Sequence, residues 1–373
     1  MWSQRIRWAF VGLAVVVLGL AAAGPVAARA RTALITGLVI TGHGYGPGVG
    51  LSQWGAEERA RAGETHEEIL AFYYPGAEIG TAPSASIRVL LADAPRLTVG
   101  SRAPFHMVQA SGASSVVSAS HDLLTTTGFA GGALTFPITL TPGSAPLMLG
   151  GNAYRGTFEV IRDGSNLELV NTLPLEEYVA DVVSVENPAY WPLEALRAQA
   201  IASRSYALAS LRPRAAFDVY ADNRSQNYSG LRKEFPSAEA ATSTTTGQVL
   251  LYDGAVVRAF FTAANGGMTT NTDGIWHEQS QPYLTSRPDP FDARSPDANW
   301  GPISVTMSGL RQKFPELPTT VVQIEITRNT GDRITAVSFV GADGSRYSVD
   351  GTTFQQRLGL RSTYAMLTAA YSQ

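Results

Sequence analysis

Between Pro174 and Leu211 the apolar positions keep a helical period. Leu175, Tyr178, Val179, Val182 and Val183 follow an i, i+3, i+4, i+7, i+8 spacing, the stripe of a helix with one face in a core. Pro174 suits a first-turn position, because the N–H it lacks has no helical partner there. Pro188 predicts the end of this helix. Pro192 predicts the start of a second one, with Leu193, Leu196, Ala200 and Leu208 as core positions and Gln199 and Arg204 as polar ones. Glu186 lies eleven positions beyond Leu175, and at about 100° per residue it returns to nearly the same side. A carboxylate at the end of an apolar stripe is costly to bury without a partner or a proton. The pattern therefore puts a glutamate at the elbow of two helices, able to look into a cleft. The plainer alternative is a solvated residue at a frayed helix end.

Elsewhere the pattern is shorter-ranged. Glycine recurs at every second position from Gly42 to Gly50, so this stretch is read as loop that can approach a neighbour or ligand closely. Two short helices are predicted next, Ser52 to about Ala62 and Thr65 to Tyr74, the second with Thr65 and Glu68 as a capping box. From Ile87 to about Val170 the signals are those of strands. Phe158–Ile161 and Leu167–Val170 flank Asp163-Gly164, and Val249–Tyr252 and Val256–Phe261 flank Asp253-Gly254, both hairpin patterns. Strand-like runs return at Val322–Ile326 and Ile334–Val340. No domain-length repeat is present.

Composition narrows the chemistry. The 373 residues are 45% hydrophobic and 16% charged, enough for a substantial core. A net charge of −3 without a dense basic run argues against a nucleic-acid partner. The chain has no cysteine and five scattered histidines, which removes disulfides, thiol nucleophiles and Cys-ligated metal sites and leaves no zinc pattern. His66-Glu67 and His277-Glu278 each lack the second histidine of H-E-x-x-H, and no G-x-S-x-G elbow occurs. No cofactor or metal is expected. Arg5 and Arg7, an apolar run from Ala9 to Ala23 and the small residues ending in Ala28-Arg29-Ala30 have the order of a secretory signal. The run is about 15 residues, short of the ~20 that span a bilayer. Cleavage near Ala28 or Ala30 is expected, and the protein is assigned outside the cytoplasmic membrane. If the segment stays on, it is the sole membrane attachment.

Three pieces in fixed order, Pro174–Tyr178 (PLEEY), Val182–Pro188 (VVSVENP) and Gln199–Tyr206 (QAIASRSY), resemble the signature of the SpoIID/LytB family. Gly46–Ala56 resembles the family's G-H-G-x-G-[ML]-S-Q-[YW]-G-A motif, with Pro47 where relatives often carry histidine and His43 four positions earlier. Phe354–Thr363 resembles F-R-x-x-L-G-L-[RK]-S-T, a segment that in many relatives directly precedes the glycine-rich motif. Here the two lie at opposite ends, as in a circular permutation, which implies that residues 40–80 pack beside residues 320–367.

The resemblance implies an α+β, SpoIID-like fold, with helices packed on antiparallel sheet and a β-rich subdomain. The corresponding organisation is a signal or anchor at 1–30, a glycine-rich and helical segment at 40–80 completing the main domain, the β-rich subdomain at 87–170, a catalytic core at 171–300 and a C-terminal β-rich part at 301–367. It further implies a secreted protein acting on peptidoglycan glycan strands. The SpoIID branch is associated with lytic transglycosylation of strands lacking stem peptides, in which one carboxyl serves as acid and base and the sugar's own C6 hydroxyl closes a 1,6-anhydro ring. Glu186 would be that group. Gln199, Arg204, Gln226, Tyr228, Asn265, Gly266, Gly267 and His43 would contact or position the glycan. The LytB branch implies the alternative, a non-catalytic enhancer of a cell-wall amidase that binds peptidoglycan.

Overall fold

The computed structural model describes residues 34–129, 132–276 and 279–371. The segment read as a secretory signal, and His277-Glu278, lie outside the described residues. Among the described residues the α-helices are α1 (Gln53–Arg61), α2 (His66–Tyr73), α3 (Leu175–Glu186), α4 (Leu193–Ala209), α5 (Pro236–Thr244), α6 (Met307–Lys313) and α7 (Gly351–Leu358). With several mainly antiparallel sheets around them, they make an α+β fold. None of these helices is long and apolar enough to cross a membrane.

The two prolines frame the central helices as their chemistry requires. Pro174 and Pro192 sit at the N-caps of α3 and α4, and Asn187 turns extended ahead of Pro188 to end α3. Leu175, Tyr178, Val179, Val182 and Val183 are all buried, each large side chain contributing about 1.5–3 kcal/mol by leaving water. α2 opens with the expected capping box of Thr65 and Glu68.

Strands between Ser86 and Pro174 build two sheets that share one core with α3, α4 and α5. The seven-stranded sheet includes Ser86–Ala94, Thr157–Asp163 and Asn166–Pro174, and Val219–Tyr220 joins its edge in parallel to Ser86–Ala94. The last strand runs straight into α3, so the sheet fixes where α3 begins. Asn171 shares the buried face of its strand with Leu167, Leu169 and Leu173 by simple alternation. Its amide donates to the Arg155 and Thr157 carbonyls at 2.9 and 3.1 Å, so a buried polar group is satisfied.

The hairpin expected over Val249–Phe261 is shorter than its hydrophobic pattern. Asp253 and Gly254 both take positive φ, as a two-residue turn matched to strand twist requires. Pairing with Gln248–Tyr252 covers only Ala255–Val256, and Phe261–Thr262 instead lies parallel to Leu51–Ser52. The second run is apolar because Val257 and Ala259 fill the core under α4, not because it continues a ladder.

The two ends of the described chain meet. Ile35–Gly42 is the middle strand of a three-stranded sheet, with Trp300–Thr306 on one side and Ala365–Tyr371 on the other. The Gly46 N–H donates to the Arg361 carbonyl at 2.9 Å and the His43 N–H to the Tyr364 carbonyl at 2.8 Å. The glycine-rich stretch thus abuts residues 361–364, whereas α1 and α2 pack on α4. Their apolar faces (Ala56, Ile69, Leu70) share a cluster with Ala195, Ala198 and Ile201 of α4, which draws them away from residues 320–367.

Candidate functional site

Glu186 is the last residue of α3 and is half-buried. Its Oε1 accepts from the Asn227 backbone N–H and from Asn227 Nδ2, both at 2.9 Å, and its Oε2 accepts from Gln53 Nε2 at 3.3 Å. Gln53 opens α1 and is placed by two constraints. Ser52 caps the helix by accepting from the Gly55 N–H at 3.1 Å, and the Trp54 N–H donates to the Ala263 carbonyl at 3.1 Å. A glutamine from the N-terminal motif is thereby delivered to a glutamate far along the chain.

The carboxylate faces a cleft of about 1060 Å³. Its lining draws on the glycine-rich loop (Tyr45 to Pro47), the 222–227 loop, the 258–263 segment, Trp276, and residues of and after α7. One further carboxylate, Asp222, is among the lining groups, and Arg224 Nε and Nη2 grip it at 2.8 and 2.7 Å. Among the described lining residues, Glu186 is therefore the carboxylate that no guanidinium occupies.

The loop carrying Asn227 alternates. Gln226 and Tyr228 are buried while Asn227 is exposed, the in–out order of an extended segment. Gln226 Oε1 accepts from Tyr178 OH at 3.1 Å, and Tyr228 OH donates to Asn171 Oδ1 at 2.7 Å. Burial pushes both tyrosine hydroxyls well above their ordinary range, so they stay neutral donors. Gln226 and Tyr228, expected at the glycan, instead anchor the loop from beneath and hold Asn227 out toward Glu186.

Other expected contacts also lie inside. Arg204 is 1% exposed, donates to both Glu176 oxygens at 2.8 and 2.6 Å and reaches the Gln248 carbonyl at 3.0 Å, so it staples α4 to the start of α3. Gln199 is buried and donates to Ser203 Oγ at 2.9 Å. A helix as enclosed as α4 turns its polar residues inward as well as its apolar ones. His43 packs on the Tyr364 ring, with centroids 4.9 Å apart, and it is Tyr45, Gly46 and Pro47 of that loop that line the cleft. At Gly266 φ is +75°, and a Cβ there would come within 2.6 Å of the His43 side chain. This glycine serves loop-on-loop packing rather than approach by a sugar.

Asn265, Gly266 and Gly267 belong to a buried network that sequence reasoning did not mark. Asp289 accepts from Tyr73 OH at 2.6 Å, Asn265 Nδ2 at 2.8 Å and Arg59 Nη2 at 3.2 Å. Asp292 accepts from Ser52 Oγ and from the Gly266 and Gly267 N–H groups, the last two at 2.5 and 3.1 Å. Both aspartates are fully buried, and burial raises the Asp292 carboxyl above its usual range. Asp289 lies in irregular chain and Asp292 opens a three-residue 3₁₀ turn, segments too short for any periodicity to signal burial.

His66, Glu67 and Glu194 put ligand atoms within 4.8 Å of one another. Glu194 is already committed, to the His66 N–H and ring at 2.9 and 2.7 Å and to Arg197 at 2.5 Å. The His66–Glu194 hydrogen bonds tie α2 to α4.

Residues 163–252 match the family model described as SpoIID, Stage II sporulation protein. The chain is 35% identical over 144 residues to Stage II sporulation protein D of Bacillus amyloliquefaciens, covering 34% of this chain and 42% of that one. It is 34% identical over 139 residues to an uncharacterized protein of Brachyspira hyodysenteriae strain WA1, covering 36% and 38%. It is 32% identical over 123 residues to an amidase enhancer of Bacillus subtilis strain 168, covering 32% and 16%. These alignments span about two-fifths or less of the relatives' own lengths. The chain contains a domain of the SpoIID/LytB family.

Proposed function

We propose that the protein acts outside the cytoplasmic membrane on bacterial cell wall, as a lytic transglycosylase that cleaves peptidoglycan glycan strands with Glu186 as its acid and base. The observation that carries this reading is a carboxylate in a large cleft that, alone among the described lining carboxylates, no guanidinium holds, positioned by Gln53 and Asn227. Hydrolysis by two carboxylates needs a second acid across the scissile bond, and Asp222 is committed to Arg224. Intramolecular closure needs one group. In its acid form Glu186 gives a proton to the bridging oxygen, the bond from that oxygen to C1 breaks, and the strand leaves as an alcohol. The resulting carboxylate then takes the proton of the C6 hydroxyl as its oxygen bonds C1, which restores the acid and consumes no water. Oε2 suits proton delivery, since its contact at 3.3 Å is the looser of the two sides.

The test is mass spectrometry of peptide-free glycan strands incubated with the full chain and with Glu186→Gln. Anhydro-ended fragments from the unaltered chain alone are expected. Intact strands with a folded protein would overturn the reading in favour of the second one, a glycan-binding enhancer of a cell-wall amidase, which the similarity to the Bacillus subtilis amidase enhancer supports.

A further inference from the structure

One part of the cleft is made where the glycine-rich loop meets the segment after α7. Tyr45 and Arg361 both line it. The bond from the Gly46 N–H to the Arg361 carbonyl holds their backbones together, and the Arg361 guanidinium lies 5.8 Å from the centre of the Tyr45 ring. Tyr45 is 51% exposed, a large aromatic left in water at the edge of a cavity. Arg361 is half-exposed and gives Nη1 to Asp297 at 2.7 Å. Its Nε and Nη2, the pair of donors that matches a carboxylate side-on, make no hydrogen bond to a described residue.

We propose that Tyr45 and Arg361 form a subsite for a sugar bearing a carboxylate, the ring stacking on the pyranose face while Nε and Nη2 take the acid. The inference rests on the glycan-strand reading of the cleft and names the substituent recognised. In a strand stripped of stem peptides, each muramic acid residue exposes its lactyl carboxylate. In a peptide-bearing strand that group is an amide, without charge and with a chain attached. A subsite of this kind favours stripped strands over peptide-bearing ones.

The test uses the full chain carrying Glu186→Gln, so that strands persist during measurement. Two probes are compared by equilibrium binding: peptide-free glycan strands, and the same strands after carbodiimide activation and borohydride reduction of the lactyl acids to alcohols. The acidic strands should bind about tenfold tighter or more, the scale of one charge-assisted pair, and the advantage should shrink with added salt. Arg361→Gln should erase the difference, and Arg361→Lys should restore only part of it, because a lysine lacks the fork. Equal binding of both strands overturns the subsite and leaves the glycan reading standing. A preference that survives Arg361→Gln overturns the assignment to Arg361. Binding of neither strand by a folded chain removes both the subsite and the reading beneath it. If Arg361→Gln fails to fold, the two-probe comparison on the parent chain still decides whether the acid is read.

Discussion

Two carboxylate centres hang on the same short N-terminal stretch and differ in what surrounds them. Ser52 binds Asp292, and Arg59 and Tyr73 bind Asp289, all in the interior. Gln53, the next residue after Ser52, binds Glu186 at the cleft. Each centre receives several donors, so hydrogen-bond number does not separate them. Access does. Asp289 and Asp292 have no face left for a ligand, whereas Glu186 keeps one toward a cavity that holds several sugar rings' worth of space. The first centre ties the N-terminal motif to the 265–267 loop, and the second uses that tie to place a glutamine.

Breaking the buried centre should have the largest effect. Asp289→Ala leaves the Arg59 guanidinium without one of its carboxylates and strands two further donors, and should cost about 3–5 kcal/mol of stability in denaturant unfolding. A loss below about 1 kcal/mol would mean the two centres are energetically alike. The mirror experiment is Glu186→Gln, which should lower glycan cleavage by roughly 10²–10⁴-fold while moving the unfolding midpoint little. A large stability change there would mark Glu186 as structural and erase the contrast.

Asp181 sharpens the contrast from a third side. It is buried without the saturation of Asp289, and its Oδ1 makes no hydrogen bond to a described residue. Burial first, and the nearby Glu234 second, raise its carboxyl to about 7 against an ordinary 3.8, with Arg155 opposing. The folded chain therefore keeps a proton that the unfolded chain has released. Stability from this group should fall as pH rises from about 4 to about 7 and level off above. Asp181→Asn should remove that slope and leave the protein roughly 1–3 kcal/mol more stable than the parent at pH 8. Parallel pH curves for the two chains would show that Asp181 ionises normally. The smallest change expected is from Gln53→Ala, about threefold to tenfold in cleavage with binding retained, since it loosens one of three bonds on Glu186.

Legibility in the sequence followed regularity of the backbone. The existence and starts of α3 and α4 could be read closely, and their ends to about two residues, because a 3.6 period and two prolines repeat the same message, and Glu186 came with them. The 226–228 loop shows the limit. The family resemblance pointed to Gln226 and Tyr228, but an extended chain alternates, and the residue between them is the one that reaches Glu186. Nothing local distinguishes the two registers, because the choice is made by Tyr178 and Asn171 waiting beneath. Arg204 and Gln199 were hidden for a related reason, as a helix enclosed on nearly every side carries no polar stripe to show which way is out. Asp289 and Asp292 sit in stretches too short for periodicity, where partners from distant segments define burial.

The middle position of Ile35–Gly42 also has a consequence in time. Both of its ladder partners, Trp300–Thr306 and Ala365–Tyr371, are made hundreds of residues later. During synthesis this apolar, β-prone strand must wait with both edges unpaired until residues 300–306 follow and with one edge unpaired until residues 365–371 do, and its pairing carries the highest sequence separation among the described strands. It is thus the segment most exposed to wrong partners while the chain is being made. The same zipper then makes its closure one of the last acts of folding.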